Sequence, residues 1–180
     1  MREIRRLNRN YVCLIFVICI ILVVIIYSYI FIWCPTDEDT TIFLVRHAEY
    51  DLSTGHLTPE GQARADELVE VLSDVDLKAI YVSQIIRTQE TAQPIATAMS
   101  LQWVIESDLE LLVAKIKQDH AGEEVLIVGH SDTVPLIIDI LVGDSVEYSI
   151  VPNEFYHLFT VTISESGEWW AVDAHYGEIT

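Results

Sequence analysis

Short hydrophobic runs alternate with amphipathic segments from residue 40 onward, and this alternation predicts the fold. Short β-branched and apolar runs predict strands at Thr40–Arg46, Lys78–Ser83, Gln102–Ile105 and Glu124–Val128. Apolar residues at helical spacing predict a helix that begins at Thr58 and further helices at Arg87–Met99, Asp108–Gln118 and Val134–Leu141. Two last strands, Phe155–Ser164 and Glu168–His175, flank Ser166-Gly167 and predict a hairpin.

This order of elements predicts an α/β fold. Strands that alternate with helices favour a mostly parallel central sheet with helices on both faces, which is a three-layer sandwich. The last hairpin adds an antiparallel edge to that sheet. Thr58 is the predicted N-cap of the first helix, and Pro59 stands in its first turn, where the missing N–H donor costs nothing. We therefore predict one domain over residues 41–180.

The segment before this domain has a different character. Residues 11–33 carry no charge and are almost entirely apolar, and about 20 such residues in a helix span a bilayer core. We predict one transmembrane helix there, a signal anchor, followed by an acidic linker over residues 34–40. A cleaved signal peptide and a buried core helix are the alternatives. The apolar stretch is longer than a signal peptide or a buried core helix needs. It is also not followed by a signal-peptidase cleavage site, in which two small residues are separated by one other residue.

The charges on either side of this segment predict its orientation. Residues 1–10 form a basic tail with four arginines, whereas acidic residues follow the span. Basic flanks stay in the cytoplasm, so we expect the domain to be extracytoplasmic. The chain beyond the tail has six Lys and Arg against 27 Asp and Glu, which excludes nucleic acid as a partner. It has no cysteine after Cys34, so it cannot form a thiolate metal site there.

Two histidines follow predicted buried strands. His47 stands in Arg46-His47-Ala48, and His130 stands in Gly129-His130-Ser131. Ligands of open α/β sheets bind at the carboxyl ends of the strands, so both imidazoles are expected to face one pocket. Arg46 and Arg87 are two of the three arginines in residues 41–180, and guanidinium groups bind phosphate oxygens in pairs. The pattern therefore predicts a site for a phosphoryl group.

Four segments, taken in order, resemble the signature of the histidine phosphatase superfamily, the phosphoglycerate-mutase-like enzymes, in a small form without insertions. They are Arg46-His47-Ala48, Leu57-Thr58-Pro59-Glu60-Gly61, the segment from Ser83 to Ala92, and Gly129-His130-Ser131. The resemblance covers about residues 41–141. It implies a covalent phosphohistidine on His47, with Arg46, Arg87 and His130 binding the phosphoryl group, and it implies no metal and no cofactor.

The leaving alcohol needs a proton, and the sequence offers three carboxyl groups for this role. Glu106 ends the predicted third strand, where larger relatives carry a glutamate, and we predict it as the proton donor; Asp108 is the second choice. Asp132 is similar to the acidic residue of the acid-phosphatase branch, but Ser131 separates it from His130. Glu49 is expected to be a solvated loop carboxylate. Surface or structural roles are expected for the other histidines, His56, His120, His157 and His175.

The sequence thus predicts a membrane-anchored, metal-independent phosphatase. We expect it to hydrolyse a phosphomonoester on a phosphorylated small molecule, a sugar phosphate or a glycolipid. Mutase activity is disfavoured, because the short loop 48–57 and the missing insertion between Arg87 and His130 leave few cations for a second phosphate. One alternative is a phosphohistidine phosphatase acting on a signalling protein, which requires a cytoplasmic domain. The other is a catalytically inactive domain that binds phosphorylated ligands.

Overall fold

The computed structural model describes residues 14–25, 39–143, 148–151 and 153–177. Residues 14–25 are helical, and their side chains are exposed. In the part of the chain that is described, no helix is both long and apolar enough to cross a membrane. Residues 11–13 and 26–33 of the predicted span lie outside the described residues, as do the predicted tail and residues 34–38 of the predicted linker. The span therefore stays a prediction.

Six strands form one mixed sheet. They are β1 (Thr40–Arg46), β2 (Leu77–Val82), β3 (Trp103–Ile105), β4 (Glu124–Gly129), β5 (His157–Ile163) and β6 (Trp169–His175). Their order in the sheet is β3-β2-β4-β1-β5-β6. The first four of these are parallel, whereas β5 runs antiparallel to β1 and β6 runs antiparallel to β5. The predicted α/β fold with an antiparallel edge hairpin is thereby confirmed.

Four helices connect these strands: α1 (Pro59–Val71), α2 (Ile86–Ala98), α3 (Leu109–Asp119) and α4 (Thr133–Val142). Thr58 caps α1, as predicted, because its hydroxyl accepts a hydrogen bond from the Gly61 amide. Asp108 caps α3 by accepting from the Leu111 amide. Pro94 lies inside α2. The predicted ends of these helices and of the strands are correct to within two residues.

The hydrophobic core has two parts, one on each face of the sheet. Alternate residues of β1 point to opposite faces, so Leu44 belongs to one part and Val45 to the other. The first part also contains residues of α3 and α4, and the second contains residues of α1 and α2. Helices therefore cover both faces, which explains why consecutive residues in the middle of β1 and β4 are apolar.

The order of the strands brings the two histidine motifs together. Strands β1 and β4 are parallel neighbours, and Arg46 is paired with Gly129 at their carboxyl ends. The next residues are His47 and His130, so the two chains leave the sheet side by side. The His47 amide also donates to the Gly129 carbonyl oxygen at 2.9 Å, which fixes this exit point.

Candidate active site

The rings of His47 and His130 face each other at the carboxyl edge of the sheet. Their centroids are 5.2 Å apart, and the rings are inclined by 64°. His47 is only 2% exposed, whereas His130 is half-buried. The structure therefore places both imidazoles in one site, although they come from distant parts of the chain.

Backbone contacts and burial determine the state of the His47 ring. Its Nδ1 lies 2.9 Å from the carbonyl oxygen of Ala48; because a carbonyl only accepts, Nδ1 carries the proton and Nε2 keeps a free lone pair. Burial lowers the pKa of His47 to about 3, and the charges of Arg87 and Arg46 add to this effect. The ring is therefore a neutral base at physiological pH, which is the form that attacks phosphorus.

His130 is held in place from two sides. Its Nε2 lies 3.0 Å from Ser83 Oγ, and its Nδ1 lies 3.5 Å from Nη2 of Arg87. A guanidinium group only donates, so Nδ1 is the acceptor and the Nε2 hydrogen points to Ser83. Burial, followed by the charge of Arg87, lowers the pKa of His130. In addition, the His130 amide donates to Thr133 Oγ1 at 2.9 Å.

Arg46 is buried beside His47, and one of its donors is left without a partner. Its Nη1 donates to the carbonyl oxygens of Val151 and Glu154 at 3.2 and 3.1 Å. The guanidinium carbon lies 4.0 Å from the centre of the Phe155 ring. Burial lowers the pKa of Arg46, but an arginine stays charged under these conditions. The Nε atom is buried and makes no hydrogen bond, so Arg46 carries an unsatisfied donor next to His47.

Arg87 contacts His130, and like Arg46 it packs against an aromatic ring and has a buried Nε without a partner. Its guanidinium carbon lies 4.5 Å from the centre of the Tyr50 ring, and its Nε is also buried without a hydrogen bond. Tyr50 additionally contacts His47, with ring centroids 5.1 Å apart. Two guanidinium groups, each stacked on an aromatic ring, thus lie next to the two histidines.

The second motif, Leu57 to Gly61, supports the loop that follows His47. A Cβ at Gly61 would overlap the carbonyl oxygen of Glu49, so this position requires glycine. The Glu49 carbonyl accepts from the Thr58 amide at 3.0 Å. Farther along, Thr91 Oγ1 accepts from the Ala48 amide and donates to the Arg87 carbonyl. These contacts connect the His47 loop with the helices that carry the second and third motifs.

The expectation that Glu49 is a solvated carboxylate was wrong. Its two oxygens accept hydrogen bonds from Arg64 at 2.6 to 3.0 Å. The exposed fractions of the two side chains are 15% for Glu49 and 4% for Arg64. The sequence did not reveal this pair because its members lie on separate elements, and only the packing of α1 against the loop brings them together.

Glu106 lies near the site, but its contacts keep it ionised. It lines a pocket of about 180 Å³ together with Ser83 and His130, which is the position expected of a proton donor. However, its carboxylate forms an ion pair with Lys115 at 2.6 Å. The hydrogen bond from Lys115 is the main reason that the pKa of Glu106 is lowered. Asp132, the other alternative near His130, is exposed at the N-cap of α4.

The sequence motifs did not predict the contacts that Phe155, Tyr50 and Ser83 make in the site. Phe155 contacts both Arg46 and His47, yet it lies after all four motifs and has no motif of its own. Tyr50 lies in the loop 48–57 and belongs to none of the four motifs. Ser83 is the first residue of the third motif. Its hydroxyl group directly after a strand was the one sequence feature that could have indicated its contact with His130.

Comparisons with known proteins cover the part of the chain that contains the first three motifs. A family model described as the histidine phosphatase superfamily (branch 1) matches residues 42–110. The uncharacterized protein Rv0525 of Mycobacterium tuberculosis is 36% identical over 84 residues, which is 42% of this chain and 41% of that protein. The match therefore spans about two fifths of the relative's length.

Solved structures share the fold of the domain. The alpha-ribazole phosphatase from Shigella flexneri has a TM-score of 0.58 and 17% identity, covering 77% of this chain and 96% of that one. The mycobacterial glucosyl-3-phosphoglycerate phosphatase Rv2419c, in complex with VO3, has a TM-score of 0.61 and 14% identity, covering 76% and 99%. At these identities the likeness shows the fold alone.

Proposed function

We propose that this chain, which belongs to the histidine phosphatase superfamily, hydrolyses phosphomonoesters through a covalent phosphohistidine on His47. Family membership rests on the ordered motifs, on the family model that matches residues 42–110 and on the shared fold. One observation supports the activity most directly. A neutral histidine with its Nε2 lone pair free stands beside two arginines whose buried Nε donors have no partner.

The first step forms a bond between Nε2 of His47 and phosphorus, while the bond from phosphorus to the leaving oxygen breaks. The three other phosphoryl oxygens carry the charge, and Arg46 and Arg87 supply the donors that bind them. Since Nδ1 of His47 bonds to the Ala48 carbonyl, this carbonyl stabilises the positive charge that develops on the ring. In the second step a water oxygen forms a bond to phosphorus while the bond from phosphorus to Nε2 of His47 breaks, which restores the lone pair on Nε2 and releases inorganic phosphate.

The His130 ring gains a proton when a phosphoryl group is bound. In the free protein it is neutral, since burial and Arg87 lower its pKa. A phosphoryl dianion next to the ring favours the protonated form, because an opposite charge stabilises imidazolium. Nδ1 then becomes a donor to a phosphoryl oxygen, and Arg87, 3.5 Å away, is free to bind a second oxygen.

The substrate class is a phosphorylated small molecule. The names of two structural neighbours, an alpha-ribazole phosphatase and a glucosyl-3-phosphoglycerate phosphatase, refer to such compounds. We propose hydrolysis rather than transfer of the phosphoryl group to a second substrate, because the chain has few further cations to hold a second phosphate. We propose Glu106 as the proton donor because of its place in the pocket beside His130. Since the hydrogen bond from Lys115 lowers the pKa of this carboxyl group, its protonated form, which alone can donate, is present mainly at acidic pH.

Membrane attachment is a separate proposal. The apolar stretch over residues 11–33 and its basic flank support a single span with the domain outside the cytoplasm. The test is protease accessibility of the domain in intact cells that express the full chain. Digestion without lysis is expected; protection until lysis would contradict the orientation.

The activity is tested by trapping the intermediate. Wild-type protein is mixed with a ³²P-labelled phosphomonoester and quenched in base, and the bound label should be acid-labile and base-stable. His47→Ala should carry no label. His120→Ala is the matched control, because His120 lies outside the site in contact with Glu123 and Tyr81; this variant should label like wild type. Label that persists on His47→Ala would refute the mechanism.

A further inference from the structure

We propose that His157, Asp173 and His175 form a binding site for a divalent transition-metal ion such as Zn²⁺ on the β5–β6 hairpin. One ligand atom from each of these three side chains lies within 4.8 Å of the others. Imidazole nitrogens and carboxylate oxygens bind Zn²⁺ at about 2.0–2.2 Å, so two ligands of one tetrahedral ion are roughly 3.4 Å apart. Asp173 and His175 are exposed, so small rotations of their side chains suffice to reach this spacing.

The backbone of the hairpin makes the three side chains converge. His157 and His175 are directly opposite each other in the β5–β6 register, and opposite residues of an antiparallel pair share a face of the sheet. Asp173 lies two residues before His175, so it projects from the same face. The site is therefore built on two paired strands, which hold ligands more firmly than a loop does.

Aromatic neighbours orient the His157 ring before a metal binds. The His157 ring stacks on Tyr156 and Phe159, with ring centroids 4.7 and 5.4 Å apart. Tyr156 also contacts the His175 ring edge-on at 4.8 Å. Because the His157 ring is already oriented, only Asp173 and His175 need further ordering when a metal binds.

The surrounding charges favour a cation. Nδ1 of His157 lies 3.0 Å from both carboxylate oxygens of Asp173. Its other nitrogen, Nε2, is buried and makes no hydrogen bond, although a carboxylate oxygen of Glu154 lies 3.4 Å away. Two carboxylates thus flank one histidine. Mixed nitrogen and oxygen donors select Zn²⁺ and similar ions over Mg²⁺ and Ca²⁺, which take oxygen ligands.

The proposed metal site is distinct from the phosphoryl site. None of its three ligands contacts the phosphoryl-binding side chains of Arg46, Arg87 or His130 through a hydrogen bond in the described residues. The proposal therefore does not depend on the phosphatase activity, and it is tested by binding alone.

The test is titration of the full-length, chelator-treated protein with Zn²⁺ by calorimetry and with Co²⁺ by visible absorption. We expect one ion per chain with a Kd of about 10 µM or tighter, and at least about tenfold weaker binding in His175→Ala and Asp173→Asn. His120→Ala is the matched control: its histidine also contacts one carboxylate, that of Glu123, and this variant should bind like wild type. Since the side chains of Asp173 and His175 are exposed, these two variants should keep the circular dichroism spectrum of wild type.

Two further variants distinguish the sites. His175→Cys should bind Co²⁺ with a new sulfur-to-metal charge-transfer band, which only a direct ligand produces. The double variant His47→Ala/His130→Ala should retain the ion. Loss of the ion in that double variant, with full retention in His175→Ala, would place it at the catalytic histidines and overturn the proposal. Absence of binding to wild type up to millimolar Zn²⁺ would overturn it equally.

Discussion

Arg64 donates hydrogen bonds from both Nε and Nη2 to the carboxylate of Glu49, which lies two residues after His47, the proposed nucleophile. Arg64 also donates from Nη1 to the Tyr176 carbonyl oxygen at 3.1 Å. This one guanidinium group thus connects helix α1 to the loop after His47 and to the chain after β6. The third arginine of the domain is a structural residue, whereas the other two lie in the site.

We predict that Arg64→Met destabilises the fold. The substitution leaves a largely buried carboxylate without its charged partner, which typically costs about 3–5 kcal/mol. Urea unfolding measures the loss. Lys78→Met is the control: Lys78 pairs with Asp76 on the exposed surface, where solvent screens the attraction, so this variant should lose much less stability. Equal losses in the two variants would show that Arg64 does not stabilise the loop.

Gly61→Ala is predicted to disturb the loop after His47. The new methyl group would overlap the Glu49 carbonyl, so either the loop or the start of α1 must shift. We expect lower thermal stability and a lower kcat for aryl phosphate hydrolysis. Gln62→Ala, one residue later on the exposed side of α1, should change neither quantity. A Gly61→Ala protein with normal kcat would mean that the loop position is unimportant for catalysis.

The low pKa of His47 predicts a specific dependence of stability on pH. The unfolded histidine binds a proton near pH 6.5, whereas burial lowers the pKa to about 3 in the folded state. Between these values the unfolded state holds more protons, so stability falls as the pH is lowered. From pH 6.5 to pH 5, wild type should lose about 2 kcal/mol more than His47→Gln. Parallel stability curves for the two proteins in phosphate-free buffer would contradict this assignment.

Tyr50 is predicted to orient Arg87 for phosphate binding. Tyr50→Leu removes the ring that stacks on the guanidinium group, and a contact of this kind contributes about 1 kcal/mol. KM for a phosphomonoester should therefore rise about fivefold, with a smaller change in kcat. Tyr50→Phe keeps the ring and should resemble wild type. If Tyr50→Phe has the same defect as Tyr50→Leu, the hydroxyl rather than the ring face is responsible.

The role of Glu106 is tested with two leaving groups. Glu106→Gln should slow hydrolysis of an alkyl phosphate by at least about 100-fold, because an alkoxide needs a proton to leave. It should hardly affect p-nitrophenyl phosphate, whose leaving group is stable without one. Equal effects on both substrates would exclude Glu106 as the donor.

Lys115 provides an independent test of the same carboxyl group. The hydrogen bond from Lys115 is the main cause of the lowered pKa of Glu106, so Lys115→Met should raise that pKa. A general acid loses activity as the pH rises through its pKa. In the pH–rate profile of alkyl phosphate hydrolysis, the decrease in rate at high pH should therefore move to higher pH in Lys115→Met. Lys117→Met, on the same helix, should leave this decrease unchanged.

The elements of the domain followed from local patterns. Continuous apolar runs, apolar residues at helical spacing, the Thr58 cap and the Ser166-Gly167 turn depend on neighbouring residues, and the predicted ends were correct to within two residues. The convergence of His47 with His130 was also predictable. The rule that parallel strands present their carboxyl ends at one edge of the sheet predicts the edge that carries both residues, whereas their short separation depends on β1 and β4 being neighbours in the strand order.

The sequence by itself determined the strands and helices, the identity of the motif residues and the edge of the sheet where they meet. Only the tertiary structure decided which side chains support them: Phe155 against Arg46, Tyr50 against Arg87, Arg64 against Glu49, and Lys115 against Glu106. The physical reason is that periodicity and capping act over a few residues, whereas a stacked ring or a buried ion pair depends on how separate elements pack. No local pattern encodes that packing.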